Sequence, residues 1–146
     1  MVAVLQPDSG NLPLFLHVLG AVVLFGATAT VAIAGFAGRH WKDHAPLLSR
    51  LAFRTWLLAV VPSWILMRVA AEWILSKEFP DETPGWVDVG FIVSEGGGIL
   101  LLVLGALAWR WARRQGTGSA GAAVPWLASI VFLALGVAVF AMSGKP

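Results

Sequence analysis

Four long apolar stretches, separated by short polar connectors, limit the folds open to this chain more than any other feature of its sequence. Each stretch reaches the length of about 20 residues that a helix needs to cross a bilayer. Of the 146 residues, 58% are hydrophobic and 12% are charged, whereas about a quarter of a soluble domain is charged. The sequence therefore predicts an all-α membrane protein with one transmembrane domain over residues 1–146. The predicted helices span residues 13–37, 51–76, 86–109 and 123–142.

The connectors differ in charge, and this difference predicts the orientation of the chain. Lysine and arginine concentrate in the first connector (39–54) and in the third (110–122), whereas the second (77–85) is acidic and contains two prolines. Short connectors favour an antiparallel up-down-up-down bundle. The positive-inside rule then predicts a multi-pass protein of the plasma (inner) membrane, with cytoplasmic basic loops and both termini extracytoplasmic.

Composition excludes several classes of function. The chain contains no cysteine, which excludes disulfide exchange and thiolate metal sites. A net charge of +2, with arginines beside the apolar stretches, does not suit nucleic-acid binding. Tryptophan gathers at membrane interfaces, so four of the eight are expected at the cytoplasmic interface. These four are Trp41, Trp56, Trp109 and Trp111.

Arg68 and Glu72 are charged residues inside the second apolar stretch, spaced so that they share one helix face. At a rise of about 1.5 Å per residue, Arg68 lies roughly 12 Å in from Ser76, and Glu95 lies roughly 13 Å in from Trp86. An unpaired charge at that depth costs from about 3 to more than 10 kcal/mol. The sequence therefore predicts a salt bridge between Arg68 and Glu95.

His17 lies near the outer end of the first helix, at about the same depth as Glu72. It is either held by Glu72 or by a backbone carbonyl, or else it acts as an axial haem ligand, a metal ligand or a proton carrier. His40 and His44 have a metal-type spacing, but a solvated turn is the favoured interpretation there.

The third helix presents a stripe of residues at helical spacing that is expected to face the bundle. Three consecutive glycines, residues 96–98, indicate either close helix packing or a groove beside Glu95. Trp64 lies one turn from Arg68 on the same face, where it suits a cation-π contact or the wall of an aromatic ligand slot. The stripe consists of Asp88, Phe91, Glu95 and Gly98.

The first helix opens with Leu-His-Val-Leu at residues 16–19, followed by small residues and by Phe25-Gly26. This opening resembles that of small bacterial integral membrane proteins allied to the copper-resistance D family. The basic connector and Pro62 within the second helix are also similar. The resemblance covers about the first half of the chain. It implies a bacterial plasma-membrane helical bundle with a link to copper handling or to haem-linked membrane proteins.

The favoured function is binding of a small ligand or cofactor (haem, quinone or a metal ion) in a polar pocket in the outer half of the bundle. The alternatives are a proton- or cation-coupled transporter and a structural accessory subunit of a membrane complex. An enzyme is less favoured because the chain has no nucleophile motif, phosphate loop or metal triad. The expected partners are the lipid bilayer, the ligand, and a second copy or a membrane-complex partner. The predicted pocket residues are His17, Trp64, Arg68, Glu72, Glu95 and Gly98, with His17 also the candidate metal ligand.

Overall fold

A computed structural model describes residues 11–78 and 85–143, with the side chains of those residues except 11, 78, 85–91, 93 and 141–143. This part of the chain is helical, and four of its segments are long and apolar enough to cross a membrane, as the sequence predicted. The helices are α1 (Asn11–His40), α2 (Ala45–Thr55), α3 (Val61–Glu78), α4 (Gly85–Arg113) and α5 (Ala120–Ser143). A 3-10 turn (Lys42–His44) precedes α2, and a π-helical turn (Trp56–Val60) joins α2 to α3.

The helices extend beyond their predicted ends, most clearly in the second apolar segment. The predicted start at residue 51 was wrong, because α2 begins at Ala45 with Pro46 in its first turn, where proline is tolerated. Similarly, α4 continues to Arg113 and α5 begins at Ala120. The sequence interpretation ended each helix near its first charges. Backbone hydrogen bonding does not end there, because exposed arginines on a helix leave its backbone bonds intact.

The π-helical turn ends two residues before Pro62, and this proline explains why the helix widens there. Proline has no N–H to donate, and its ring clashes with the carbonyl four residues earlier in a regular α-helix. The wider turn closes with a bond from the Val61 N–H to the Trp56 carbonyl, five residues back. Ser63 Oγ donates to the Ala59 carbonyl at 2.6 Å. The chain therefore passes Pro62 without ending the helix.

Large side chains pack against glycines where the helices meet. The Trp56 ring lies over Gly105 of α4, and its Nε1 donates to the Leu101 carbonyl at 2.8 Å. A glycine also lets two backbones approach: a methyl group added at Gly20 of α1 would lie 2.8 Å from the Met67 nitrogen of α3. Association of membrane helices relies on such close approaches, because lipid removes most of the hydrophobic driving force between them.

Among the described side chains, buried residues extend to the end of the bundle where α4 and α5 are connected, which we call the closed end. Trp111 lies at this end, is 1% exposed and contacts Gly38 of α1 and Gly121 of α5. Its ring is enclosed among the helices because the two glycines leave room for it. From there the buried apolar side chains continue towards the middle of the bundle through Val31, Leu104 and Val124 to Leu24 and Val60.

The helices pack unevenly around the bundle. Within the described ranges, α1 packs against both α3 and α5, and α4 packs against α5 and α2. The backbones of α3 and α4, by contrast, are not closely packed against each other there. Side chains therefore bridge the space between these two helices, on the side where the sequence predicted the pocket.

Candidate functional site

Arg68 on α3 is the centre of the candidate site. Its Nη1 lies 2.5 Å from Oε1 of Glu72, one turn further along the same helix. Its Nη2 lies 3.6 Å from Oε1 of Glu95 on α4. The side chain of Arg68 is 21% exposed, whereas those of Glu72 and Glu95 are 54% and 70% exposed. The cation is thus the covered member of this group, and the two carboxylates form an accessible rim.

Trp64 occupies the space between α3 and α4 one turn before Arg68. A methyl group added at Gly98 would lie 2.8 Å from Cζ2 of Trp64, so the indole ring is seated directly on this glycine. The Trp64 Nε1 atom is buried and has no hydrogen-bond partner in the described part of the chain. A buried donor without a partner costs about 1–3 kcal/mol, so an acceptor supplied by a ligand would stabilise this site.

We call Trp64, Arg68, Glu72, Glu95 and Gly98 the polar cluster. These are five of the six residues predicted from the sequence, and the structure brings them together at the junction of α3 and α4. The three charged members carry one positive and two negative formal charges when all are ionised. The cluster can therefore accept hydrogen bonds at its carboxylates and donate one from Trp64.

His17, the sixth predicted residue, lies beside α3. Its Nδ1 is 3.0 Å from the Met67 carbonyl oxygen. Of the two partners predicted for His17, a backbone carbonyl and Glu72, the contact is therefore with a carbonyl. A carbonyl oxygen only accepts hydrogen bonds, so Nδ1 carries the proton and Nε2 of the neutral ring keeps its lone pair. This is the arrangement that orients a histidine for metal ligation through Nε2.

The histidines and carboxylates do not assemble into a metal site among the residues that the structure describes. No three His, Asp or Glu side chains there come close enough together to hold an ion. Asp88 and Phe91, which the sequence interpretation placed on one stripe with Glu95, lie outside the described side chains.

Sequence reasoning missed Ser94, which precedes Glu95 on α4. Its Oγ is buried and has no hydrogen-bond partner among the described residues. A serine inside a membrane helix usually donates to a carbonyl of its own helix, as Thr28 does to the Leu24 carbonyl at 2.9 Å. The signal available in the sequence was a polar residue adjacent to a carboxylate within an apolar stretch.

Comparison of the chain with known protein families, with curated proteins and with solved structures gave no match.

Proposed function

We propose that this chain is an integral membrane protein that binds a small ligand at the polar cluster. The observation that carries the proposal is the buried Trp64 N–H, which has no partner in the described residues and lies one turn from Arg68 and its two exposed carboxylates. A bound acceptor satisfies the indole donor. The carboxylates remain available to donors on the same molecule.

Of the three ligand classes, quinone, haem and a metal ion, a quinone fits these groups best. Its carbonyl oxygen can accept from Trp64 Nε1, and the hydroxyl groups of its reduced form can donate to Glu72 or Glu95. Its flat ring matches the aromatic surface that Trp64 places between α3 and α4. A metal ion has less support, because the described side chains do not converge into a ligand set.

Haem is the second candidate, and the geometry of His17 favours it. The bond from Nδ1 to the Met67 carbonyl leaves Nε2 as the ligating atom. A haem iron bound there needs one protein ligand, with the porphyrin supplying the remaining donors in its plane. This candidate also agrees with the link to haem-linked membrane proteins that is implied by the resemblance of the first helix to the copper-resistance D family.

The proposal includes the orientation of the bundle in the plasma membrane. Trp56 contacts Gly105, Trp64 contacts Gly98 and Arg68 contacts Glu95, so residue numbers rise along one helix as they fall along the other. This order supports antiparallel neighbours and an up-down-up-down bundle. The basic connectors favour cytoplasmic loops, with both termini and the polar cluster towards the extracytoplasmic side.

One detergent-purified sample tests the ligand classes together. We expect mass spectrometry of its organic extract to show a bound quinone, while the absorption spectrum and elemental analysis report haem and metal. Calorimetric titration with a short-chain benzoquinone then measures affinity. A Trp64→Phe variant keeps the ring but loses the N–H, so its affinity should fall about fivefold to tenfold, since one hydrogen bond contributes about 1 kcal/mol.

The matched control is Trp126→Phe, because Trp126 is 59% exposed and lies on α5. Its affinity for the benzoquinone should equal that of the parent chain. Equal affinities for all three proteins, or no binding by the parent, would remove the quinone assignment. A visible absorption band that is lost in His17→Leu would instead establish haem.

A further inference from the structure

Arginine side chains surround a surface depression of about 330 Å³ at the C-terminal end of α4. The guanidinium of Arg113 lies over the Trp109 ring, 4.9 Å from its centroid. Stacking on an aromatic face orients a planar guanidinium and leaves the N–H groups at its edge free to bind an anion. The residues lining the depression are Trp109, Arg110, Arg113 and Arg114.

The helix end beside the depression is capped by its own backbone. The Gly116 N–H donates to the Trp111 carbonyl at 3.0 Å, and the Gln115 N–H donates to the Ala112 carbonyl at 3.1 Å. Together with the positive φ of 48° at Gln115, these bonds form a Schellman cap. The last carbonyls therefore have backbone partners and do not need the arginine side chains. The residual negative end of the helix dipole, about half a charge, does not cancel three guanidinium groups.

The neighbouring connector adds positive charge at the same end of the bundle. Gly38, next to Arg39, lies against the Trp111 ring, and Gly116 lies against the backbone of Ala45 at the start of α2. These contacts hold the first and third connectors together. The basic residues of the two connectors and of α2 are Arg39, Lys42, Arg50, Arg54, Arg110, Arg113 and Arg114, with Asp43 the acidic residue among them.

The depression lies where α4 leaves its apolar region, because the candidate membrane span of this helix ends at Arg113. Leu102, Ala106 and Trp109 follow one another at helical spacing and are all exposed, so an apolar stripe runs along α4 to the arginines. Acyl chains can lie along this stripe while a phosphate occupies the depression. A soluble anion would gain nothing from the stripe, so this continuity favours a lipid.

We propose that this depression binds the headgroup phosphate of an anionic phospholipid. Arg110, Arg113 and Arg114 contact the phosphate, and Trp109 packs against the glycerol region of the same lipid. Each basic residue near the surface of an anionic membrane raises the affinity for that surface about fivefold. The site does not depend on the polar cluster, which lies towards the opposite end of α4.

Native mass spectrometry of the full chain in detergent tests this proposal with phosphatidylglycerol and phosphatidylcholine of identical acyl chains. The parent chain should retain phosphatidylglycerol and bind phosphatidylcholine at least tenfold more weakly. The variant Arg113→Gln should weaken phosphatidylglycerol binding about fivefold. The triple variant Arg110→Gln/Arg113→Gln/Arg114→Gln should weaken it by more than tenfold.

The matched control is Arg39→Gln/Lys42→Gln/Arg50→Gln, which removes the same charge from the same end of the bundle. If the depression is the site, this variant should lose clearly less affinity than the Arg110/Arg113/Arg114 triple variant, because its three charges lie beside the depression and do not contact the phosphate. Equal losses in the two triple variants would show attraction by net charge alone and overturn the proposal. Equal binding of both lipids, or displacement of phosphatidylglycerol by inorganic phosphate at matching concentration, would also overturn it. Circular dichroism checks folding, and the single Arg113→Gln variant decides the question if a triple variant unfolds.

Discussion

At the scale of single residues, His17 shows how one hydrogen bond fixes the chemistry of a side chain. The Met67 carbonyl can only accept, so it determines the tautomer of the imidazole and directs the lone pair to Nε2. The sequence placed His17 near the outer end of α1 and left several roles open for it. It could not select the Met67 carbonyl, because that contact depends on how α1 and α3 meet at Gly20.

Replacing His17 separates its structural role from its ligand role. His17→Asn keeps a donor near the position of Nδ1 and should unfold close to the parent, whereas His17→Leu should lose about 0.5–1.5 kcal/mol. Titration with sodium dodecyl sulfate in mixed micelles, followed by circular dichroism, measures the difference. If both variants unfold at the same detergent fraction as the parent, the bond to Met67 contributes nothing to stability.

At the scale of elements, the three consecutive glycines of α4, residues 96–98, do not share one role. A methyl group would contact Trp64 at Gly98, whereas at Gly96 and Gly97 it would meet no described atom within 4 Å. The sequence indicated either packing or a groove for residues 96–98 as a unit. Only the position of Trp64 assigns packing to Gly98, because the sequence does not give the rotation of α3 relative to α4.

Alanine substitutions test this division within one helix. Gly98→Ala should destabilise the fold by about 1–3 kcal/mol, because the added methyl group displaces the Trp64 ring. Gly96→Ala should be neutral or stabilising by up to about 1 kcal/mol, since alanine favours the helix and has space there. Detergent-induced unfolding of both variants gives the comparison, and similar effects at the two positions would contradict the packing described.

Trp111 and Trp41 provide a second comparison, between a buried and an exposed indole. Trp111 is 1% exposed and Trp41 is 57% exposed. Trp111→Ala should cost about 3–5 kcal/mol, as expected for loss of a buried aromatic ring, whereas Trp41→Ala should stay within about 0.5 kcal/mol of the parent. The same unfolding titration measures both. A small effect at Trp111 would mean that the closed end does not depend on this ring.

At the scale of the whole molecule, the sequence predicted those features that depend on the length of the apolar segments and on the positions of the charges. The four spanning segments follow from composition alone. The proximity of Arg68 to a carboxylate on another helix follows from the similar depths estimated for Arg68 and Glu95. The π-helical turn and the seating of Trp56 on Gly105 were not predictable, because each depends on two segments fitting together. The burial of Trp111 was not predictable either, because it depends on Gly38 and Gly121 lying beside its ring.

Orientation of the whole chain can be tested directly, because the natural sequence contains no cysteine. Thr117→Cys, in the connector between α4 and α5, should react with a membrane-impermeant maleimide only after cells are permeabilised. Ser76→Cys, near the end of α3, should react in intact cells. The opposite pattern would place the basic connectors outside the cytoplasm and reverse the proposed orientation.

The slot around Trp111 has a consequence for the order in which the protein is assembled. Its two walls are Gly38 in α1 and Gly121 in α5, so one wall is synthesised well before the indole and the other shortly after it. Of these two glycines, Gly121 leaves the ribosome after Trp111. The Trp111 ring is therefore incompletely enclosed in the nascent chain until α5 has packed beside it.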